Sequence, residues 1–537
     1  MGAGASATTP RSCAAASIEA ASDADMQAVL AALSSEGKAK VASALKKLPA
    51  QYTPASTQPL KEVQADESQT CVARVQASLD AIAKHDGFLN ACVEVLKDSA
   101  LKVAAEADAK LAAGGTRRVL EGVPFLVKAN IDVAGSLSTA AMPGLAEWRP
   151  EKTAPVVIKL MEAGAIPVAK TTLPEAAFGM WGWSSLHGLT KNPHNEGYTS
   201  GGSSTGSAVG LAAGFASAAL GSDTEGSLRG PADFAGVVGM RVTLGRYSDE
   251  GVVPCNIKHD TAGPMATTVA DLAVMDAVIT GASPSDYTPA DLKGLTVAFP
   301  PDLTAKDLAP GNAMAITLAK EALAKAGATV KEDAAEFAPL AAPPEGGAIC
   351  HELSFCQEGF EAYLKSHPHC TLKGDEVIEK SFYPNVRNFF LAPKGRNSSG
   401  PFDLTNMSTK TGDEYKELKD KYDAARAEWL KKFEAYFDDN QVDVILTPTT
   451  NGLPALVETD EGYKDFIASI MTGLASYKPI QGLNHLPIPS IAIPTAARHE
   501  DPKGGAPMPV GVCLWGRSNG DKKLIEAAMA FEVALKS

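Results

Sequence analysis

The sequence predicts a layered α/β fold built on a largely parallel or mixed β-sheet. Two observations carry that expectation. From residue 120 onward, short β-branched or apolar runs alternate with longer segments whose apolar residues recur at helical spacing. Of the 537 residues, 45% are hydrophobic and 21% charged, which is ordinary globular chemistry and rules out a wholly disordered chain. At about 150 residues per domain the length alone gives three or four domains, although single large α/β domains also reach this size.

Taken in order, residues 17–48 place Met26, Val29, Leu30 and Leu33, then Val41 and Leu45, at helical spacing around Ser34, Ser35 and Gly37. That pattern predicts a helical hairpin. A loose linker runs to Pro59, so residues 1–60 read as an N-terminal extension and 61–537 as the main domain. A second helical region, 61–112, ends at Gly114 and Gly115, a helix stop. Strands are predicted at 123–127, 166–169, 295–299, 443–446, 489–493 and 508–514. Helices are predicted at 154–164, 205–214, 268–280, 313–326, 411–437 and 521–536. The stretch 333–410, rich in Pro, Gly and aromatic residues, is the least regular part.

Charge narrows the function classes. Lys and Arg number 49 against 63 Asp and Glu, a net charge of −14 that argues against a nucleic-acid partner. No run of about 18 apolar residues exists, so no helix-spanning membrane segment is expected. The eight cysteines show no C-x-x-C pair and read as reduced thiols of a cytosol-like compartment, which gives a cytoplasmic expectation. Cys350, His351, Cys356, His367, His369 and Cys370 cluster loosely, but their spacing fits no standard metal site. Residues 1–20 lack an apolar core of secretory type. They match the M-G-x-x-x-[ST] pattern instead, which makes Gly2 a candidate for N-myristoylation; a plain Ala/Ser/Gly-rich start or a weak targeting segment is the alternative.

Three segments concentrate the residues that could do chemistry. Thr199 to Ser207 is a dense Gly/Ser cluster opening a small-residue helix, but it has no lysine for a phosphate loop. Its Gly202-Ser203-Ser204-Thr205-Gly206 fits the G-x-S-x-G elbow, yet a polar turn, Asn195 to Tyr198, stands where that elbow needs a strand. Gly221 to Ala232 is a second small-residue turn, whose amides could face inward as an oxyanion hole beside Ser227. Gly122 to Asn130 carries Lys128 directly after an apolar strand, where burial would depress its pKa and make it a base. Each has an ordinary alternative: a flexible loop, a strand-to-helix turn capped by Ser227, and a strand-end lysine facing solvent.

In combination and spacing, the three segments resemble the amidase signature family of serine hydrolases. The likeness is strong over residues 65–300 and looser over the C-terminal strands. It implies the amidase-signature fold, a central mixed β-sheet flanked by helices on both faces, here with an N-terminal helical extension. It also implies a Ser-Ser-Lys relay, the triad logic with lysine in place of histidine. Ser227 matches the nucleophile, and Ser203 matches the bridging serine after a cis peptide at Gly202. Lys128 matches the residue that is neutral at rest and accepts the proton. The backbone amides of Thr224, Glu225, Gly226 and Ser227 match the oxyanion hole, with Ser204 in support. No metal or cofactor is implied.

Glu225 departs from the family, which has glycine there. A glycine-only backbone conformation would not tolerate it, and a carboxylate beside a developing oxyanion is unfavourable unless it points away or is paired. Residues 245–264 look like the corresponding stretch of indoleacetamide and mandelamide hydrolases, which act on primary amides of arylacetic acids. Met180, Trp181 and Trp183 occupy a loop that approaches the substrate channel in this family, although Trp residues in an α/β protein are more often plain core. The expected activity is hydrolysis of a small carboxamide to acid and ammonia. The alternatives are the A component of a glutamyl-tRNA amidotransferase and a non-catalytic binding protein that keeps the fold. The helical pair at 17–48 is a candidate for homodimerisation or for capping the domain.

Overall fold

The computed structural model describes residues 59–66, 68–304, 308–332, 334–335, 357–381, 412–457, 480 and 482–537. The chain divides into units 1–53 and 54–537, and the described residues all belong to the second. The expected hairpin at 17–48, Gly2, and Cys350, His351 and Cys356 lie outside the described residues.

An eleven-stranded sheet forms the spine. In chain order its strands are β1 (Cys92–Val95), β2 (Pro124–Lys128) and β3 (Ile166–Thr171). A short hairpin, β4 (Trp183–Ser184) with β5 (Gly188–Leu189), stands outside the main sheet. The sheet continues with β6 (Ala218–Asp223), β7 (Val238–Arg241), β8 (Thr261–Ala266), β9 (Thr296–Ala298) and β10 (Thr329–Lys331). Last come β11 (Val444–Pro448), β12 (Ser490–His499) and β13 (Met508–Trp515). Their spatial order is β1-β3-β2-β6-β8-β7-β12-β13-β11-β9-β10. β2 runs parallel to β3 and β6, and β11 and β10 run parallel to β9; the other neighbours are antiparallel. The sheet is therefore mixed.

Alternation along the strands feeds two cores. Phe125, Val127, Leu220, Met240, Ile491, Val512 and Leu446 point to one face, packed with Val157, Leu272, Ile316 and Ile525 from four helices. Trp515, Cys513 and Ile445 point to the other, against Phe234, Trp429, Phe433 and Phe437. Local signals set the helix ends. Pro155 and Pro310 open their helices at the first turn, where a missing N–H is harmless. The Thr268 hydroxyl caps Val269–Thr280 by accepting from the Asp271 amide, and Gly281 ends it in the left-handed region.

Every predicted strand and helix from residue 120 onward falls on an observed one. One expectation needs correction. The region 61–112 is not all helix, since β1 separates Cys71–Leu89 from Lys97–Ala112. Within 333–410, the described residues include the helices Gln357–Lys365 and Gly374–Ser381. Strands β6 and β8 are absent from the predicted set because the Ala, Gly, Ser, Pro and Met that dominate them carry little β-propensity; these strands are held by full burial instead.

The topology gathers strand ends at one edge of the sheet. Lys128 and Asp223 close the parallel strands β2 and β6, Arg241 closes β7, and β8 begins at Thr261 opposite Asp223. Crevices beyond strand carboxyl ends are where open α/β sheets bind ligands. Gly221 permits the local packing there, because a Cβ at that position would meet Ser204 Oγ at 2.5 Å and Leu228 Cδ2 at 2.7 Å. Gly221→Ala should lower unfolding free energy by about 1–3 kcal/mol, the usual penalty of overpacking, read as a shift in the midpoint of urea denaturation.

Candidate active site

Lys128 is the last residue of β2 and has no exposed surface, so the solvent-facing alternative does not hold. Its Nζ lies 2.7 Å from Ser203 Oγ, 2.8 Å from Ser222 Oγ and 3.4 Å from the Ser222 carbonyl oxygen. Asn130 Nδ2 donates to the same Ser222 hydroxyl at 3.0 Å and steadies it. Burial lowers the lysine pKa to about 7, while the carboxylate charges of Asp223 and Asp260 oppose that shift from farther off. Loss of hydration wins because neither carboxylate forms an ion pair with the ammonium. At neutral pH a large share of the side chain is therefore the free amine.

The serine loop is pinned by its own hydroxyls. Gly202-Ser203 is a cis peptide, as the family resemblance implied. Ser204 Oγ donates to the Ser222 carbonyl at 3.0 Å and accepts from the Ser222 amide at 3.2 Å, joining the loop to β6. Ser207 Oγ donates to the Leu220 carbonyl at 3.0 Å. The Ser204 amide donates to the Ser227 carbonyl at 3.0 Å and ties the two serine-bearing loops together. Ser203 is fully buried and Ser227 is 6% exposed.

Asp223 organises the second loop. Its Oδ1 accepts from the Gly226 amide at 2.9 Å, and its Oδ2 accepts from the Leu228 amide at 3.0 Å. Arg229 and Arg241 flank it with ion-pair contacts of 3.1 Å each, all three side chains having no exposed surface. Burial alone would raise the carboxyl, but the two guanidinium charges outweigh it and hold Asp223 well below the usual carboxylate range. Arg241 also donates to the carbonyls of Asp223 at 2.6 Å, His259 at 2.8 Å and Asn484 at 2.9 Å. Arg229 donates to Asn484 Oδ1 and lies 5.2 Å from the Trp515 ring. Removing one member of such a buried set costs about 3–5 kcal/mol, because the other charges lose their partner.

Two expectations about this loop change. Ser227 is not a helix cap, since the next helix is Arg229–Ala235 and its N-cap residue is Leu228. The Gly226 amide, expected in the oxyanion hole, is instead donated to Asp223. The backbone concern about Glu225 also resolves. Positive φ falls at Gly226, +108°, whereas Glu225 is not among the residues with positive φ. The glycine the turn requires is still present.

The 179–183 segment lies against this machinery. A Cβ on Gly202 would meet the Gly179 carbonyl at 2.5 Å and Met180 Cα at 3.3 Å, so the segment packs directly on the residue before Ser203. Met180 is buried with Leu483, Trp429 and Phe433, and the Trp181 ring covers Gly179. Trp183 belongs to the β4–β5 hairpin, paired with Leu189. The structure thus brings Met180 and Trp181 beside the serine loop and gives Trp183 a place in the hairpin.

Residues 73–525 match the family described as Amidase. The chain belongs to the amidase family. Over 471 residues it is 30% identical to mandelamide hydrolase of Pseudomonas putida, covering 86% of this chain and 87% of the relative. It is 32% identical over 480 residues to the A component of the glutamyl-tRNA(Gln) amidotransferase of Thermosynechococcus vestitus, covering 85% and 93%. The native peptide amidase of Stenotrophomonas maltophilia superposes with a TM-score of 0.72 at 27% identity, covering 90% of this chain and 98% of that one. The protein is an amide-hydrolysing enzyme with the amidase-signature fold, and the Ser-Ser-Lys triad is characteristic of its family.

Several residues of this amidase site carry no assignment from the sequence. Ser222 and Asn130 stand inside the chemistry-bearing segments without a part given to them, and both converge on Lys128. Arg241 has a usable signal, a lone cation inside the apolar run Val237 to Val242. Asn484 has none. Among the described residues, no group of His, Cys, Asp and Glu could hold a metal ion, and no helix is long and apolar enough to cross a membrane.

The lysine yields a pH prediction. Its folded pKa of about 7 lies below the ordinary 10.5, so between those values the unfolded chain holds a proton that the folded chain does not. Stability should therefore climb as pH rises across that window. Urea titrations of wild type and Lys128→Met should differ by that slope, the variant lacking it.

Proposed function

We propose that this enzyme hydrolyses a small carboxamide of arylacetamide type to the carboxylic acid and ammonia, through an acyl-enzyme on Ser227. The observation that carries the reading is the buried, carboxylate-free amine of Lys128 at 2.7 Å from Ser203 Oγ. In this mechanism Ser227 Oγ attacks the amide carbon and gives its proton to Ser203, whose own proton passes to Lys128. The relay then returns a proton to the amide nitrogen, the C–N bond breaks, and ammonia leaves. Water attacks the ester by the same proton path and restores Ser227. The amides of Thr224, Glu225 and Ser227 hold the oxyanion, while that of Gly226 keeps the turn on Asp223; deleting one oxyanion donor costs about 3–4 kcal/mol of transition-state binding.

The arylacetamide preference rests on the likeness to mandelamide hydrolase and on the aromatic ring of Trp181 over Gly179, whose carbonyl abuts Gly202. The amidotransferase relatives are equally similar, so the same relay also fits release of ammonia within a larger assembly. The net charge of −14 disfavours a tRNA-binding role for this chain. Purification from the native source separates the two, since partner proteins would accompany the second.

Two experiments follow. A fluorophosphonate probe should label Ser227 in the wild type, with labelling lost in Ser227→Ala and strongly reduced in Lys128→Ala; mass spectrometry of the adduct reads the site. Trp181→Ala should raise KM for phenylacetamide and leave KM for aliphatic amides unchanged, and an equal rise for both would remove Trp181 from substrate recognition.

A further inference from the structure

We propose that Asp260 is a positioning residue for amide hydrolysis, fixing Thr224, the first residue of the oxyanion loop, against the adjoining loop 255–260. The assignment rests on the relay reading given above.

The placement follows from the sheet. β6 and β8 pair antiparallel with Asp223 opposite Thr261, so Thr224 and Asp260 form the next pair, just beyond the last rung. No backbone ladder holds them there; a side-chain bridge does. Asp260 Oδ1 accepts from Thr224 Oγ1 at 2.6 Å. Asp260 Oδ2 accepts from the amides of Cys255 at 2.7 Å and Asn256 at 2.9 Å. The Asn256 carbonyl accepts in turn from the amides of His259 at 3.0 Å and Asp260 at 2.9 Å. One carboxylate thus closes the loop 255–260 on itself and reaches across to Thr224.

The segment Thr224 to Ser227 is consequently bracketed by two buried carboxylates. Asp223 takes the amides of Gly226 and Leu228 from one side, and Asp260 takes the Thr224 hydroxyl from the other. Both ends of the turn are set before substrate arrives, which is what preorganised oxyanion donors require.

The charge state of Asp260 matters because an ionised carboxylate is purely an acceptor and faces three donors. The groups acting on it are Arg241 from β7, Lys128 from β2, Asp249 from the preceding loop and its own neighbour Cys255, which also feels Glu225. Burial pushes the carboxyl up to about 6 against the hydrogen bonds of Thr224, Asn256 and Cys255 and the charge of Arg241. Protonation below that pH removes an acceptor from the set. Asp260 is 9% exposed and forms part of the wall of a cavity of about 250 Å³, shared with Asp249, Ile257 and Tyr363, through which a proton can arrive.

The test uses the full-length chain and the rate of Ser227 labelling by a fluorophosphonate, so no substrate need be known. Asp260→Asn and Thr224→Val should each lower the maximal labelling rate by about tenfold or more, short of the 10²–10³ lost on deleting a donor outright. The concentration for half-maximal rate should stay unchanged. The double variant should fall no further than the worse single one, because both changes break one bridge. Thr224→Ser, which keeps the hydroxyl, should restore the wild-type rate. Near pH 6 the wild-type rate should fall more steeply than a slope of one, by up to about a further tenfold as Asp260 takes up its proton, and return to a slope of one below that, while Asp260→Asn keeps a slope of one throughout. Multiplicative losses in the double variant, or identical slopes, overturn the assignment. If Asp260→Asn does not fold, the Thr224 variants decide alone: loss in Val with recovery in Ser supports it, and any other pattern overturns it. Failure of wild-type Ser227 to label overturns the relay reading and this assignment with it.

Discussion

The site depends on a lysine buried, among the described residues, without an ion-pair partner. An ammonium in a dry interior is expensive, and the usual remedy is a carboxylate within reach. Here the groups bonded to Lys128 are neutral serine hydroxyls and a carbonyl, so the side chain relieves the burden by shedding its proton. Much of the surrounding architecture serves that condition. Asp223, the carboxylate one residue past Ser222, is saturated by Arg229, Arg241 and two backbone amides, so its charge is answered elsewhere. Asp260 is likewise occupied by Thr224, Cys255 and Asn256. A base is maintained by keeping acids busy.

The chemistry is more legible in the sequence than the scaffold that carries it. Lys128, Ser203 and Ser227 sit in or beside glycine- and serine-rich turns whose composition is unusual enough to stand out. β6, which leads into the Ser227 loop, and its neighbour β8 are built mostly from Ala, Gly, Ser, Thr, Pro and Met, and residues of that kind advertise no period. Their strand character comes from neighbours on both sides in the sheet, information no local window contains. β11 and β13 behave oppositely: Val444 to Leu446 and Val510 to Leu514 are plain apolar runs, fully buried and readable as strands.

The polar support is legible only in part. Asn130, Ser222 and Asp260 are near in sequence to the motif residues, but their partners are set by strand register. Thr224 meets Asp260 only because Asp223 faces Thr261 across the ladder. Arg241 meets Asp223 through β7 lying one strand beyond β8. Asn484 arrives from a segment more than two hundred residues downstream, and its contact with Arg229 spans 255 positions. Such long-range pairings are fixed by topology and cannot be read from spacing.

The close stacking of Gly179 and Met180 on Gly202 has a consequence for selectivity. The segment that carries Trp181 shares backbone packing with the peptide that presents Ser203. Under the proposed relay, changes in that segment that alter which amide fits also move the backbone of Ser203. On that reading selectivity and turnover are mechanically coupled, so a change of substrate in this fold also perturbs proton transfer.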